Sequence, residues 1–447
     1  MSNSIEHQKS SEEAAIITRR RRKPCRFPPT DPLSLQGALN VGTHETPHFA
    51  YYFIVSTAYP VLRLASGKEA HLKNRHHAIF KTAVTRFPEV PDGSIVEVQS
   101  FSGDFLCYAL LNRKAYICGR AIAFERGDPL RQIKTNIEHA IAMRETFFAG
   151  EDTNAYRLIN AEGDGIPGLI VDKYASVIVV QFTTLGMDML RENILQMLRD
   201  ACSPQCIFEK STGAARKSEG LESKEGWIGE VGPEEIPVTE RGLRFMIRLE
   251  GSQKTGLFLD QREMRSLVKA TAKGRTVLDC CSYVGGFSVA ALAGGAKSAH
   301  AVDYDATALS RAADHVKQNG LDVAAFSSSS EDVFNVLRKK PAHPFDFIIL
   351  DPPAFAKRSS DLDQAKRAYT DLNRMAMEIL PAGGLLLTCS CSYQVDPELF
   401  QTIVFHAARQ AKRSVKILQR HRQAFDHPVN LFHPEVDYLK SLLLWVE

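Results

Sequence analysis

The last 200 or so residues of this 447-residue chain predict a doubly wound α/β domain with seven strands. Three observations carry that prediction. From about residue 250, strand-like and helix-like segments alternate strictly. The strand-like segments are near-continuous apolar runs, as expected for strands buried on both faces. Four successive runs end in acidic or glycine-rich turns, where such sheets bind their ligands. Ahead of this domain the pattern changes twice, giving four segments: a polar, basic extension (1–58), a small β-barrel (59–125), an α+β domain (126–249) and the doubly wound domain (250–447).

Residues 1–58 mix Ser, Glu, the basic run Arg19–Lys23 and FPPTDP without lasting periodicity, and read as poorly ordered. The basic run suits a solvated tail or a tether to nucleic acid. VLRL, SIVEV, DFLCYALLN and YICGRAIAF follow as short strands, with turns at Ser66-Gly67, Pro91-Asp92-Gly93 and Ser102-Gly103, and a helix is expected over Asn74–Thr82. Ile133, Ile137, Ile141 and Met143 give Leu130–Phe148 a helical face. Turns at Gly163-Asp164-Gly165 and Pro167-Gly168 then divide further strands. A helix over Met187–Cys202 precedes the strands CIFEK, EIPVTE and RFMIRLE.

In the last segment the strands are TVLDCCS, SAHAVDYD, VAAFS, FDFIILD, GGLLLTCSCS, SVKILQR and YLKSLLLWVE. Helices fit between them at Gly286–Ala293, Thr307–Asn319, Glu331–Lys340, Ala365–Leu380 and Pro397–Lys412. Seven strands with a long final one fit the Rossmann-like fold of class I methyltransferases.

Composition narrows the class. The chain is 44% hydrophobic, enough for real cores, and no apolar run reaches the length of about 20 residues that a membrane helix needs. Nine scattered cysteines form no CxxC pair and no zinc spacing, so no metal is expected, and reduced thiols in a cytoplasm are. His76 and His77 have no ligand-type neighbours in sequence and read as surface or packing residues. Residues 1–125 carry 16 Lys+Arg against 11 Asp+Glu, a balance of +5 within a net +3, which suits an acidic partner such as RNA.

The strand ends supply the chemistry. After the first stand Asp279, Ser282, Gly285 and Gly286, and the glycines let the backbone turn sharply against a ligand. Asp303 ends the second, where a carboxylate can accept from both hydroxyls of an adenosine ribose. Glu331 and Asp332 follow the third, placed for an adenine amino group or for capping the next helix. Asp351-Pro352-Pro353 ends the fourth, and two prolines cannot continue a strand. Neither GxGxxG nor GxxxxGK[ST] is present, which argues against NAD and against a P-loop. The fifth strand carries Cys389 and Cys391 on the same face, with Cys391 at or past the strand end. A thiolate there suits methylation of pyrimidine C5: its attack on C6 makes C5 nucleophilic. Asp351, if protonated or sharing a proton, could then stabilise charge near N3.

Five separated motifs now mark a resemblance: GSQKTGLFLDQR (251–262), VLDCCSYVGGFSVAALAGGA (277–296), FDFIILDPPAFAK (345–357), GGLLLTCSCS (383–392) and RQAFDHPVNLFHPEVDYLK (422–440). With NAEGDGIPGLIVDKY (160–174) and ARKSEGL (215–221), they resemble the rRNA large subunit methyltransferase I family over residues 60–447. The resemblance implies a PUA domain for the barrel, S-adenosylmethionine as cofactor, cytosine C5 in large-subunit rRNA or a ribosomal subunit intermediate as target, and Cys391 of Ser390-Cys391-Ser392 as nucleophile. Broader RNA cytosine methyltransferases place that cysteine eight residues after the first glycine of the strand, here Gly383. Lys254, Gln261 and Arg262 are implied to lie near the cofactor's methionine end. The chain departs from the family at Arg75-His76-His77-Ala78-Ile79-Phe80, where the family reads Arg-His-Pro-Trp-hydrophobic-Phe, and at Cys281 and Tyr283, where methyltransferase cofactor loops commonly have glycine. Two alternatives stand beside this reading: methylation of an exocyclic amino group without a thiol, and an inactive RNA-binding assembly factor. The oligomeric state is open, and a homodimer is compatible.

Overall fold

The first sheet grows from short β-rich segments separated by turns at the expected glycines. In the computed structural model, which describes residues 58–251, 256–339 and 344–447, β1 (Val61–Leu64), β2 (Ala78–Phe80), β3 (Val84–Arg86), β4 (Ile95–Gln99), β5 (Phe105–Leu111) and β6 (Ile117–Ala123) pair in the order β2-β6-β5-β4-β1-β3. The basic extension with Arg19–Lys23, and Lys254, lie outside the described residues. Leu62, Val96, Val98, Cys107, Leu111 and Cys118 fill the interior. The helix expected over Asn74–Thr82 is corrected. Helix α1 covers only Ala70–Lys73, Arg75 takes φ 59, and Ala78–Phe80 is a strand. Its pairing with β6 is a long-range contact that local spacing does not reveal.

The central region begins with α2 (Pro129–Phe148). Asp128 caps it by accepting from Leu130 N, and proline stands in its first turn. Ile133, Ile137 and Ile141 are buried as expected. β7 (Ala155–Asn160), β8 (Leu169–Tyr174), β9 (Val177–Phe182), β10 (Cys206–Ser211) and β11 (Lys224–Trp227) form a sheet ordered β11-β10-β9-β8-β7. The helix expected over Met187–Cys202 is two helices, α3 (Leu185–Met189) and α4 (Arg191–Cys202). Helix α3 packs on β5 and α4 on α2, so their axes part at Leu190. After α5 (Ala214–Ser218), the hairpin β12 (Ile236–Glu240) and β13 (Leu243–Ile247) buries Val238, Phe245 and Ile247 in the same core as Val277, Phe287 and Ala299 further on.

Then come α6 (Arg262–Thr271), β14 (Thr276–Cys280), α7 (Gly286–Ala293), β15 (Ser298–Asp303), α8 (Ala306–Gln318), β16 (Phe326–Ser330), α9 (Val333–Arg338), β17 (Phe347–Leu350), α10 (Leu362–Ile379), β18 (Gly384–Ser390), α11 (Pro397–Ala411), β19 (Val415–His421) and β20 (Lys440–Val446). The seven strands run β16-β15-β14-β17-β18-β20-β19. β14 to β18 are parallel, whereas β20 inserts antiparallel between β18 and β19, so the sheet is not parallel throughout. The strand order reverses between β14 and β17. That opens a crevice beyond their C-terminal ends, at the tips that carry Asp279 and Asp351.

Candidate active site

The loop after β14 holds three residues in the left-handed region: Cys281 at φ 60, Tyr283 at φ 50 and Gly285 at φ 72. The first two are the positions where glycine is commonly found, so this chain adopts the strained loop conformation with side chains in place of glycine. Backbone bonds hold it: Ser282 N donates to Val302 O at 3.1 Å and Gly285 N to Ser282 O at 2.9 Å. Asp303 at the tip of β15 accepts from Tyr283 N at 2.8 Å through one oxygen and from Asp305 N at 3.0 Å through the other. It therefore braces the loop while each oxygen keeps a second lone pair. At Gly285 a Cβ would stand 2.5 Å from Ala312 Cβ, so glycine is required for space as well as for φ.

Asp279 is fully buried. Its Oδ2 accepts from Ser288 N at 2.9 Å and Ser288 Oγ at 2.7 Å. Burial pushes its carboxyl up to about 6, against the opposing pull of Ser288. Among the described residues, Asp279 Oδ1 and Ser282 Oγ are buried without a partner. Orphaned buried oxygens are costly, and they suit a ligand rich in ammonium and hydroxyl donors. Glu331 and Asp332 stand half-buried past β16. Glu331 takes Lys339 Nζ at 2.5 Å. Asp332 caps α9 through Asn335 N at 3.0 Å and also accepts from the Tyr304 hydroxyl, which with the capping bond holds its carboxyl below the usual range.

Past β17, Asp351 accepts from Gln261 Nε2 at 2.9 Å, a bond that orients this carboxylate. Arg262 is held elsewhere. Its guanidinium is fully buried, with Nη1 2.9 Å from Asp426, Nε 3.4 Å from Glu240, and Nη2 donating to Ala155 O at 2.9 Å. A side chain closed into that network is not available to a cofactor, which corrects its expected place at the methionine end.

The two thiols of β18 are separated by one residue and by their surroundings. Cys389 is fully buried, and burial pushes its thiol well up. Cys391 lies past the last residue of the strand, partly exposed, with Sγ 3.9 Å from Pro352 O of the neighbouring turn. Its two flanking serines are clamped by Tyr369 of α10, a side chain with no exposed surface. Ser390 Oγ donates to Tyr369 Oη at 3.0 Å, Tyr369 Oη and Ser392 Oγ are 2.9 Å apart, and Ala356 N donates to Ser392 Oγ at 3.2 Å. Lys440 Nζ donates to Ser392 O at 2.7 Å. Tyr369 and Lys440 were not singled out from sequence. A tyrosine on an amphipathic helix reads as core, and a lysine at a strand start reads as surface.

The sequence shows no partner for His76, but the fold brings it His433 and Glu435. The hydrogen bonds assign the roles. Ala78 N donates to His76 Nδ1 at 3.1 Å, so Nε2 carries the ring proton and faces both Glu435 oxygens at 3.3 Å. A protonated nitrogen cannot ligate, and the cluster reads as a tie between the first sheet and the segment 422–440. The eight described cysteines are free thiols. Among the described residues, no helix is long and apolar enough to cross a membrane.

Comparison with known proteins identifies the family. A family model described as S-adenosylmethionine-dependent methyltransferase matches residues 217–443, and one described as a PUA-like domain matches 62–124. Ribosomal RNA large subunit methyltransferase I of Klebsiella pneumoniae is 35% identical over 394 residues, 87% of this chain and 98% of that protein. The protein of the same name from Aeromonas salmonicida is 38% identical over 85% of this chain and 98% of its own length. This chain belongs to the rRNA large subunit methyltransferase I family. A solved structure from Streptococcus mutans, assigned as an S-adenosylmethionine-dependent methyltransferase, is 26% identical with a TM-score of 0.74, covering 86% of this chain and all of that one. Another, at TM-score 0.75 and the same identity and coverage, is complexed with SAH. The methyltransferase uses S-adenosylmethionine, and the orphaned oxygens of Asp279 and Ser282 and the tight turn at Gly285 fit that cofactor.

Proposed function

We propose that this methyltransferase methylates C5 of a cytosine in large-subunit ribosomal RNA in the cytoplasm, through a covalent adduct between Cys391 and C6. The observation that carries the reading is the clamped, partly exposed thiol of Cys391 beside the Asp351-Pro352 turn, with its neighbour Cys389 sealed in the sheet. The name of the relatives, the PUA-like segment and the positive balance of residues 1–125 support an RNA substrate.

Asp279, Ser282, Gly285, Gly286, Asp303, Glu331 and Asp332 would hold S-adenosylmethionine, which supplies an electrophilic methyl group. The target base must be flipped out or presented single-stranded. The Cys391 thiolate adds to C6, and the electron pair displaced toward C5 makes that carbon nucleophilic. Asp351, which accepts from Gln261, would stabilise charge near N3 in a protonated or proton-sharing form. Once C5 carries the methyl, a base removes the C5 proton, the C5–C6 double bond re-forms and the thiolate leaves. Purified protein, S-adenosylmethionine and large-subunit rRNA test this by nucleoside mass spectrometry. The expected product is 5-methylcytidine, and N-methylated adenosine or guanosine would overturn the reading.

A further inference from the structure

Between Glu398 and Asp426 the chain carries six Lys or Arg and no Asp or Glu. This stretch builds most of α11 and all of β19, and β19 is the outermost strand of its sheet. Arg413 is engaged internally, donating to the carbonyls of Met377, Leu380 and Glu447. Lys416 is tied to Glu447, and Arg422 to Asp437 at 3.2 Å. Arg409, Lys412 and Arg420 are exposed, and among the described residues they form no salt bridge. Arg420 donates to the neutral side chain of Gln401 at 2.9 Å, which joins β19 to α11. Gln401, Phe405 and Arg409 follow at four-residue steps along that helix, so they share one face. Phe405 on this face is 59% exposed.

The basic strip leads to the ligand edge of the sheet. β19 runs parallel to β18, because each is antiparallel to β20 between them. His421 pairs with Ser441, and Ser441 pairs with Cys389. Residues 420–422 therefore end two strands, about 10 Å, from the end of β18 that carries Cys391. Edge strands are commonly guarded by charge against pairing with other chains, and a single lysine serves that purpose. Guarding requires neither a run without acids nor an exposed aromatic ring within it. Cations without ion-pair partners around an exposed ring fit a polyanion that also offers bases to stack, which is single-stranded nucleic acid.

We infer that the outer face of α11 and β19 binds the RNA strand flanking the target base, with Arg409, Lys412 and Arg420 on phosphates and Phe405 under a base. The inference rests on RNA being the substrate. Fluorescence anisotropy of the full chain with a labelled oligoadenylate carrying one cytosine, followed against salt, tests it. A triple variant, Arg409→Gln with Lys412→Gln and Arg420→Gln, is expected to flatten the slope of log Kd against log salt by about 2, at about 0.7 per phosphate contact on a single strand. On that slope, its affinity gap to wild type widens about a hundredfold between about 1 M and about 0.1 M salt. Phe405→Ala is expected to weaken binding about tenfold at every salt concentration with the slope unchanged. Lys273, Lys297 and Lys317 are exposed and precede β14, β15 and β16, on the half of the sheet away from β19. Changing these three to Gln removes the same charge and should leave the slope as in wild type. A strip variant with the wild-type slope would overturn the inference and leave this face to a protein partner or to solvent. So would a control variant that flattens the slope as much, because net charge alone would then explain the effect. Wild-type protein that binds no RNA would instead sink the underlying reading, and an N-methylated product would change the target atom while leaving the strip in place.

Discussion

Cys389 and Cys391 share the end of β18, yet the first has no exposed surface and the second lies beyond the sheet, with Sγ 3.9 Å from Pro352 O. Replacing the two should therefore separate cleanly. Cys391→Ala is expected to abolish methyl transfer and retain cofactor affinity. Cys389→Ala leaves a small cavity, costs about 1 kcal/mol of stability and keeps transfer. Transfer assays with a thermal melt of each variant check this, and the opposite pattern would reassign the nucleophile.

Tyr369 joins Ser390 and Ser392 through one hydroxyl, so it sets the backbone on both sides of Cys391. Removing that oxygen takes one partner from each buried hydroxyl, leaving Ser392 Oγ with Ala356 N and Ser390 Oγ with Ser392 N, without changing the ring packing. Tyr369→Phe is expected to lower kcat about tenfold, about 1.4 kcal/mol of barrier, with KM for S-adenosylmethionine unchanged. A fall in cofactor affinity with kcat intact would show that the clamp acts elsewhere.

The parts of the site readable from sequence are those that local pattern fixes. Asp279, Asp303 and Asp351 each follow an apolar run that marks a strand end, where such sheets bind ligands, whereas Asp332 follows the serine-rich β16. Cys391 was separable from Cys389 by its distance along the strand. Contacts made across the chain were not readable. Arg144 of α2 donates to the carbonyl of Asp426, 282 residues away, and His76 meets Glu435 across 359. No periodicity encodes such pairs. Arg262 was misplaced for the same reason: its sequence position beside Gln261 suggested the cofactor, while its partners Asp426 and Glu240 come from distant segments. The strand Ala78–Phe80 was read as helix because only its pairing with β6 makes it a strand.

Asp279 makes the cofactor site a source of instability. Its folded carboxyl titrates at about 6, above its ordinary 3.8, so the folded state binds the proton more tightly than the unfolded chain. Stability contributed by this group therefore falls as pH rises from about 4 to about 6, by about 3 kcal/mol in all. Asp279→Asn can still accept from Ser288 and carries no charge. It should be more stable than wild type at pH 7 by up to that amount, equal to it near pH 4, and weaker in cofactor binding. Urea unfolding of both proteins at several pH values checks the sign. A variant less stable than wild type at pH 7 would show that the carboxylate is compensated in the free protein.

Asp426 works in the opposite direction. Its carboxylate is fully buried between Arg262 and His427 and also accepts from Arg157 N at 2.8 Å. Arg262, His427 and these bonds hold it well below the usual carboxylate range, against the cost of burial. Its contribution is complete above the ordinary carboxylate range and is lost only as pH falls below it. Asp426→Asn leaves the Arg262 charge with Glu240 as its remaining ion-pair partner among the described residues, and Glu240 is shared with Arg265 at 2.6 Å. The loss is expected to be about 3–5 kcal/mol at pH 7, shrinking in acid. Pairing it with Arg262→Met removes the stranded charge and should recover part of the loss, since both ions are then gone. Denaturant curves for the two singles and the double give the coupling directly. Additive losses would mean that the two side chains do not act as a pair.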